Sequence, residues 1–220
     1  MTLLSQNTKM RRSGGDKYSI YNFGIPAFQS RDGTRTCPNA GKCAIGCYAR
    51  QGAYLWSNVI DAYEARLEAT KDARGFREAM LREISTKALT ATKRCKTLVI
   101  RIHDSGDFYS KDYFETWLGI IRAFPQVRFY SYTKQVAMLQ NVELPPNFKL
   151  TFSYGGKQDH LIKAADSVSR VFKTKTELVS AGYKDTSTDD SYAFNSRGSR
   201  RVGLVYHGTK GFDSTQWGRV

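Results

Sequence analysis

Long apolar segments are missing from this 220-residue sequence. No hydrophobic run approaches the ~18 residues that a membrane-spanning helix needs, so we expect no membrane partner. The first four residues are followed at once by polar ones, which predicts no signal peptide and a cytoplasmic location. Internal repeats and low-complexity tracts are also absent, and the length suits a single domain. We therefore expect a polar arm over residues 1–16, flexible or extended, and one domain over residues 17–220.

Acidic residues are in short supply, because twenty Asp and Glu oppose thirty-four Lys and Arg, for a net charge of +14. Such an excess of positive charge favours association with polyanions, although it does not specify a fold. Nucleic acid or an anionic small-molecule substrate is therefore the expected partner. The basic residues are spread along the whole chain, so a basic protein without any nucleic-acid role explains the same composition.

Cysteine is also scarce, with four in the chain, yet Cys37, Cys43 and Cys47 lie within eleven residues. In a reducing compartment such a group indicates metal binding or catalysis rather than disulfides. The C-x5-C-x3-C spacing supplies three thiolates, whereas structural zinc needs four ligands. Three cysteines can bind three irons of a [4Fe–4S] cluster and leave the fourth iron open for chemistry. The alternative is a set of ordinary buried thiols, or a disulfide with one unpaired cysteine.

Strand-like and helical patterns alternate along the chain. Strands are predicted at 18–23, 97–103, 127–132, 148–154, 168–172 and 202–207. Helices are predicted at 57–70 with Ser57 as the cap, at about 76–88, from Ser110 onward, and as shorter segments at 133–141, 159–165 and 176–181. This alternation predicts an α/β fold with a parallel sheet and right-handed crossovers.

Parallel α/β sheets bind their ligands at the carboxyl ends of the strands. The cysteine-bearing loop 24–54 follows the first predicted strand, and a loop of that length inside a domain is usually functional. Polar or glycine-rich segments follow the later strands, at 104–107, 133–134, 155–157 and 207–208. The sequence therefore predicts one site that these segments build together.

Several short motifs together resemble the phage gene product 88 family. They are Asn7-Thr8-Lys9, the cysteine loop from Cys37-Pro38 to Cys47-Tyr48-Ala49, Ser105-Gly106-Asp107-Phe108 and Tyr132-Thr133-Lys134. A three-cysteine loop after a first strand, followed by βα units, also looks like the radical S-adenosylmethionine (radical SAM) superfamily. The resemblance implies a [4Fe–4S] cluster on the three cysteines and a partial (β/α)6 TIM-like barrel of the radical SAM type. For a phage-encoded protein the expected location is the host-cell cytoplasm.

The radical SAM superfamily also implies roles for the turn after the second strand. Ser105, Gly106 and Asp107 stand where that superfamily holds the amino group of SAM through carbonyl and carboxylate oxygens. Asp107, His103 and Lys134 are then the expected catalytic residues, and a reductant is an expected partner. The chain departs from the superfamily, which usually has C-x3-C-x2-C and a Gly-Gly-Glu-like turn. In the simpler interpretation Gly106 only bends the chain, and a neighbouring polar residue caps the next helix.

A fourth protein ligand would close the cluster, and Cys95 is the remaining cysteine. It precedes a predicted strand, whereas the cysteine loop follows one. Six residue steps of about 3.3 Å then separate the two ends of a parallel sheet by roughly 20 Å, so Cys95 is expected to be a structural or free thiol. His103 lies at the correct strand end and is the better candidate, ahead of Asp104 and His207.

Two charged positions need partners if the fold buries them. Arg101 shares the strand face of His103, where a buried charge needs a carboxylate, from the protein or from a substrate. Asn7 and Lys9 either fold back over the site or lie on the surface of the arm.

Three functions stay open from the sequence. The first is an iron–sulfur enzyme that binds SAM or substrate at the open iron. The second is a non-radical hydrolase or lyase that uses the same iron as a Lewis acid. The third is a zinc-stabilised basic module that binds nucleic acid.

Overall fold

A computed structural model describes residues 2–206 of the chain, and its centre is one parallel β-sheet. The strands are β1 Tyr18–Phe23, β2 Thr97–Ile102, β3 Arg128–Thr133, β4 Phe148–Ser153, β5 Val168–Phe172, β6 Lys184–Asp185 and β7 Arg201–Val205. All strand pairings are parallel, and the strand order is β1-β2-β3-β4-β5-β7-β6. The predicted α/β class and parallel sheet are therefore confirmed.

The sheet curls into a half-barrel, with β1 and β6 at its two edges. The six predicted strands all appear, with ends shifted by at most two residues. The seventh, β6, was not predicted, because two residues carry no periodic pattern. A barrel of the radical SAM type in particular stays a prediction.

Seven helices accompany the strands in the described part of the chain, and the long helices cover the outer face of the sheet. They are α1 Thr8–Gly14, α2 Ser57–Lys71, α3 Ala73–Lys93, α4 Lys111–Arg122, α5 Val136–Leu139, α6 Lys175–Ser180 and α7 Ser191–Asn195. The helix predicted at 159–165 is only a 3-10 turn at Asp159–Leu161, because the backbone becomes extended at Ile162. Within residues 2–206, no helix is both long enough and apolar enough to cross a bilayer.

Side-chain caps fix where two of the long helices begin. The Ser110 hydroxyl accepts a hydrogen bond from the backbone N–H of Tyr113 at the start of α4, as a serine cap predicts. The carboxylate of Asp72 does the same for Gly75 in α3. Ser57 is not the cap of α2 as predicted: it is the first helical residue, and the preceding residue makes no side-chain cap.

Alternate residues of the strands enter two separate cores, as the two-residue period of a strand requires. On the outer face, Ile100 packs in a large apolar cluster with Trp117 of α4 and Met80 of α3. On the concave face, Val99 packs in a smaller cluster whose other buried members are Met10, Ile20, Tyr130, Ala193 and Phe194. Short helices from both ends of the chain therefore fill the amino-terminal half of the half-barrel interior and leave its carboxyl end for a site.

Residues 2–16 pack against the folded domain, first as an extended segment that pairs with β1 at Asn22 and then as α1, which corrects the alternative of a flexible arm. The backbone N–H groups of Leu3 and Leu4 donate to the Glu83 carboxylate on α3, and both leucine side chains are buried. Met10 of α1 is fully buried. The polarity of the segment misled because three apolar side chains are enough to anchor it when the rest of the fold supplies their pocket.

Candidate functional site

A cavity of about 390 Å³ lies at the carboxyl ends of the strands, where parallel α/β sheets ordinarily bind ligands. Its volume is in the range of small-molecule sites. The cysteine loop, the turns after β2 and β3, and the N-terminal segment all contribute to its lining. The site residues predicted from the sequence all lie on this one cavity: Cys37, Cys43, Cys47, His103, Ser105, Gly106, Asp107 and Lys134.

The turn that follows β4 holds the cysteine loop in place. The backbone N–H groups of Gly41 and Cys43 donate to the Gly155 carbonyl at 3.2 and 3.1 Å. A Cβ on Gly41 would lie 2.9 Å from that oxygen, so glycine lets the two backbones approach. The remainder of the loop is shaped by short 3-10 helices at Lys42–Ala44, Tyr48–Arg50 and Gly52–Leu55.

The three cysteines of the loop are partly buried and are not joined in disulfides. The Phe28 backbone N–H donates to the Cys37 sulfur at 3.3 Å, and the Ala49 backbone N–H hydrogen-bonds to Cys47. Burial raises the pKa of Cys37 to about 12 and also raises the pKa of Cys47. N–H donors aimed at sulfur are a usual feature of iron–sulfur ligands, so these thiols fit a cluster.

The cysteines are not closed around a single point. In the part of the chain that the structure describes, no three or more His, Cys, Asp or Glu side chains are arranged to hold one metal ion. Thiolates that share one zinc ion lie about 4 Å apart, since each Zn–S bond is about 2.3 Å. In a cluster each thiolate binds a different iron, which sets a wider spacing. The zinc site and the cluster both stay predictions.

Asp107 is buried in one wall of the cavity and accepts three hydrogen bonds from the protein. The Thr133 hydroxyl and the Phe108 N–H donate to Oδ1 at 2.6 and 2.8 Å, and the Lys134 N–H donates to Oδ2 at 2.9 Å. Burial raises the pKa of Asp107, and the three hydrogen bonds oppose that rise. A carboxylate offers about four acceptor positions, so Oδ2 retains one for a ligand.

Gly106 makes a close contact between the turn after β2 and the segment after β1. Its φ is +82°, and a Cβ there would lie 2.3 Å from Cγ1 of Ile25. The Ile25 N–H in turn donates to the Ser105 carbonyl at 3.1 Å. The structural interpretation of Gly106 as a turn glycine is confirmed, whereas a contact from Ser105 or Gly106 to SAM stays a prediction.

His103 follows β2 in the left-handed backbone conformation, with φ +64°. Its Nε2 lies 2.9 Å from the Tyr113 hydroxyl, and its buried Nδ1 has no hydrogen-bond partner among the described residues. Burial, with a smaller contribution from the Arg101 charge, lowers the pKa of His103 to about 3. The imidazole is therefore neutral near pH 7. Non-glycine residues in this conformation cost free energy and concentrate at functional sites.

The ammonium group of Lys134 is held by oxygen atoms at the end of β4. It donates to the Ser153 hydroxyl at 2.7 Å and to the Ser153 and Tyr154 carbonyls at 3.2 Å. The charge of Lys134 acts on Cys47, whose thiolate form it favours. Lys134 is thus a positioned cation beside the thiols.

A buried charged cluster, which the sequence predicted only in part, lines the same cavity. Asp190 bridges Lys9 at 2.7 Å and Arg101 at 3.3 Å, and the Tyr130 hydroxyl donates to it at 2.8 Å. Although burial alone would raise the pKa of Asp190, the charges of Arg101 and Lys9 hold it below its usual value. The prediction that a buried Arg101 needs a carboxylate is confirmed. Nothing in the local sequence around Asp190 marked it as that partner.

The candidates for a fourth cluster ligand are placed differently. Cys95 is exposed and precedes β2. As predicted, it lies at the amino-terminal ends of the strands, whereas the cavity lies at their carboxyl ends. Asp104 lines the cavity, but its Oδ2 accepts hydrogen bonds from the Asn22 amide at 2.7 Å and the Tyr63 hydroxyl at 2.9 Å. Burial raises the pKa of Asp104, which favours its neutral form. His207 lies outside the described residues.

The chain matches one protein family over nearly its whole length. The model of the family described as Gene product 88 matches residues 1–215. The chain belongs to the gene product 88 family. Within the family, it is 29% identical over 150 residues to the Gene 88 protein of Mycobacterium phage D29, a match that covers 64% of this chain and 60% of that protein. The chain thus spans less than two thirds of the length of this relative.

No solved structure matches the chain, and membership of the radical SAM superfamily stays a prediction. The matched range of the gene product 88 family includes all the cavity residues from Asn7 to Tyr206. The site is therefore part of what the family model describes.

Proposed function

We propose that the protein is an iron–sulfur enzyme in which Cys37, Cys43 and Cys47 hold a [4Fe–4S] cluster with one iron open to the cavity. One observation carries the proposal: three thiols share a small-molecule-sized cavity with buried carboxylate, imidazole and ammonium groups. Ordinary buried thiols do not need such surroundings, whereas reactive centres do. The N–H donors to two of the sulfurs support the same assignment.

The protein groups around the cavity have distinct parts in this proposal. When bound, the cluster supplies an open iron that acts as a Lewis acid or, with SAM, as a source of one electron. Asp107 binds and orients a donor group of the ligand through its remaining Oδ2 acceptor position. Lys134 holds its positive charge beside the thiolates, and neutral His103 presents its Nδ1, which is unpartnered among the described residues.

The radical form of the proposal depends on the turn after β2. In that form, Ser105 and Gly106 carbonyls and the Asp107 carboxylate bind the ammonium group of SAM, and a reductant is the partner. The Lewis-acid form needs neither, and leaves Asp107 or His103 as the neighbouring acid–base group. We propose the phage-infected host cytoplasm as the location, by analogy with the mycobacteriophage relative; its reducing conditions keep the thiols available.

Anaerobic purification with iron and sulfide analysis tests the cluster. The proposal predicts close to four irons and four sulfides per chain, with a broad absorption near ~400 nm from thiolate-to-iron charge transfer that zinc lacks. We expect Cys37→Ala, Cys43→Ala and Cys47→Ala to lose the cluster. Cys95→Ser, at the amino-terminal ends of the strands and away from the cavity, should retain it. Stoichiometric zinc without sulfide in the wild-type protein would sink the proposal.

Adding SAM to the reduced protein separates the two forms. The radical form predicts a change in the electron paramagnetic resonance signal and release of 5′-deoxyadenosine. Asp107→Asn then weakens SAM binding by about 1.5–3 kcal/mol, the scale of a hydrogen bond to a charged group. If millimolar SAM produces neither a spectral change nor deoxyadenosine, the radical form is rejected and the Lewis-acid form remains.

A further inference from the structure

On the side of the cavity that faces the half-barrel interior, positively charged side chains outnumber negatively charged ones among the described residues. Lys9 and Arg101 both line it, and both pair with the one carboxylate of Asp190. Of the side chains, 24% is exposed for Lys9, 11% for Arg101 and none for Asp190. Within the described residues, two partly buried cations thus share one fully buried anion.

A second acidic group, Asp104, also interacts electrostatically with Arg101, although burial raises the pKa of this carboxyl group. Burial also lowers the pKa of Lys9, even though Asp190 opposes the effect. A buried cation without full compensation is costly, and a bound anion removes that cost.

Two hydrogen-bond donors at this place have no partner within residues 2–206. The Nε of Arg101 and the hydroxyl of Tyr132 are both buried and make no hydrogen bond with the described part of the chain. The guanidinium lies 5.2 Å from the centre of the Tyr132 ring, and both residues line the cavity. The Arg101 contacts that do exist are long, 3.3 Å to Asp190 and 3.4 Å to the Tyr48 hydroxyl. Buried polar groups are normally satisfied, so these donors indicate a missing acceptor.

We propose that Lys9, Arg101 and Tyr132 form a subsite for the carboxylate or phosphate group of a small-molecule ligand, and that Asp190 holds the two cations in place. Guanidinium and ammonium groups are the donors that proteins use for both anions. The subsite lies on the same cavity as the cysteines, so a substrate bound there by its anionic group extends toward the thiols. Its role as a substrate site rests on the proposed function, whereas anion binding itself does not.

Thermal unfolding of the full-length protein at constant ionic strength tests the subsite, with inorganic phosphate and acetate as separate probes. A site that binds only the folded protein raises the unfolding temperature in a saturable way. We expect such a response from wild-type protein, and the probe with the lower half-saturation concentration identifies the anionic group. Lys9→Gln and Arg101→Gln raise that concentration about 10- to 100-fold, as loss of a charged hydrogen bond predicts.

Arg74→Gln is the matched control, because it removes the same charge from an exposed position on α3. It keeps the wild-type response. If Arg101→Gln fails to fold, Lys9→Gln, whose side chain is less buried, decides the matter alone. The proposal is overturned if neither probe gives a saturable response in wild-type protein, or if the cation variants respond like Arg74→Gln. Iron and sulfide are measured on the same preparations: saturable anion binding by protein without a cluster refutes the proposed function and leaves the subsite intact.

Discussion

At the scale of single residues, His103 shows how the fold prepares the site. A left-handed backbone, complete burial and a neutral ring come together at the point where β2 ends. Histidine tolerates this backbone conformation better than most residues, although at a cost. The strand pattern predicted where His103 lies, but not its backbone conformation or its hydrogen bond to Tyr113, since both depend on how α4 packs.

The neutral state of His103 predicts a pH dependence of stability. Its pKa in the folded protein is about 3, below the value of about 6.5 for an unfolded chain. Between these two values the unfolded state binds more protons, so stability falls as the pH decreases from about 6.5, by up to about 1.4 kcal/mol per pH unit. His103→Asn, which tolerates the left-handed conformation, removes this contribution.

Urea denaturation of the two proteins from pH 7.5 to pH 4 measures the effect. The variant is expected to be less stable at pH 7.5, because it loses the hydrogen bond to Tyr113 and leaves a cavity. The difference between the two proteins should then shrink as the pH falls. Parallel pH curves would show that His103 titrates normally in the folded protein.

At the scale of elements, the turn after β2 depends on glycine for two separable reasons. Gly106 has a positive φ, and a Cβ there would overlap buried Ile25; Gly182 also has a positive φ, but nothing lies within 4 Å of its missing Cβ. Gly182→Ala therefore costs about 1–2 kcal/mol, from backbone conformation alone. Gly106→Ala costs that amount and about 1–3 kcal/mol more, from overpacking.

Free energies of unfolding from denaturant titration, compared between the two alanine variants, check this prediction. The same variants report on the site, because Gly106→Ala shifts the turn that presents Asp107 to the cavity. Equal losses at the two glycines would mean that the contact with Ile25 relaxes at no cost, and that the turn is not fixed by it.

The elements themselves were predictable to an uneven degree. Five-residue and longer strands, and the helices α2, α3 and α4, have clear periodic patterns and appear where the patterns place them. The short α1 and α7 were missed, because their stability comes from packing into the half-barrel rather than from their own sequence. The site was predicted where it follows strand ends, and missed where Asp190 arrives from a loop before α7.

At the scale of the whole molecule, both ends of the described chain close the concave side of the sheet. Met10 from α1 and Phe194 from α7 share a core with Val99 of β2. Met10→Ala is therefore expected to lower the free energy of unfolding by about 2–5 kcal/mol, as for other buried methionines. Arg12→Ala, exposed on the same helix, should change it by no more than about 0.5 kcal/mol.

Chemical denaturation of both variants measures the contrast. The result separates a folded N-terminal segment from the flexible arm that its polarity predicts. If Met10→Ala were as stable as Arg12→Ala, the segment would not be part of the core, and Lys9 would not be held at the cavity.

Mössbauer spectroscopy of the ⁵⁷Fe-loaded, anaerobically purified protein tests the central claim most directly. Three cysteine ligands on a [4Fe–4S] cluster leave one iron in a different ligand environment from the others. We expect this iron to form a separate spectral component, and a ligand bound in the cavity to shift this component while leaving the rest unchanged. Four equivalent irons, or iron with no sulfide-bridged cluster, would contradict an open iron held by Cys37, Cys43 and Cys47.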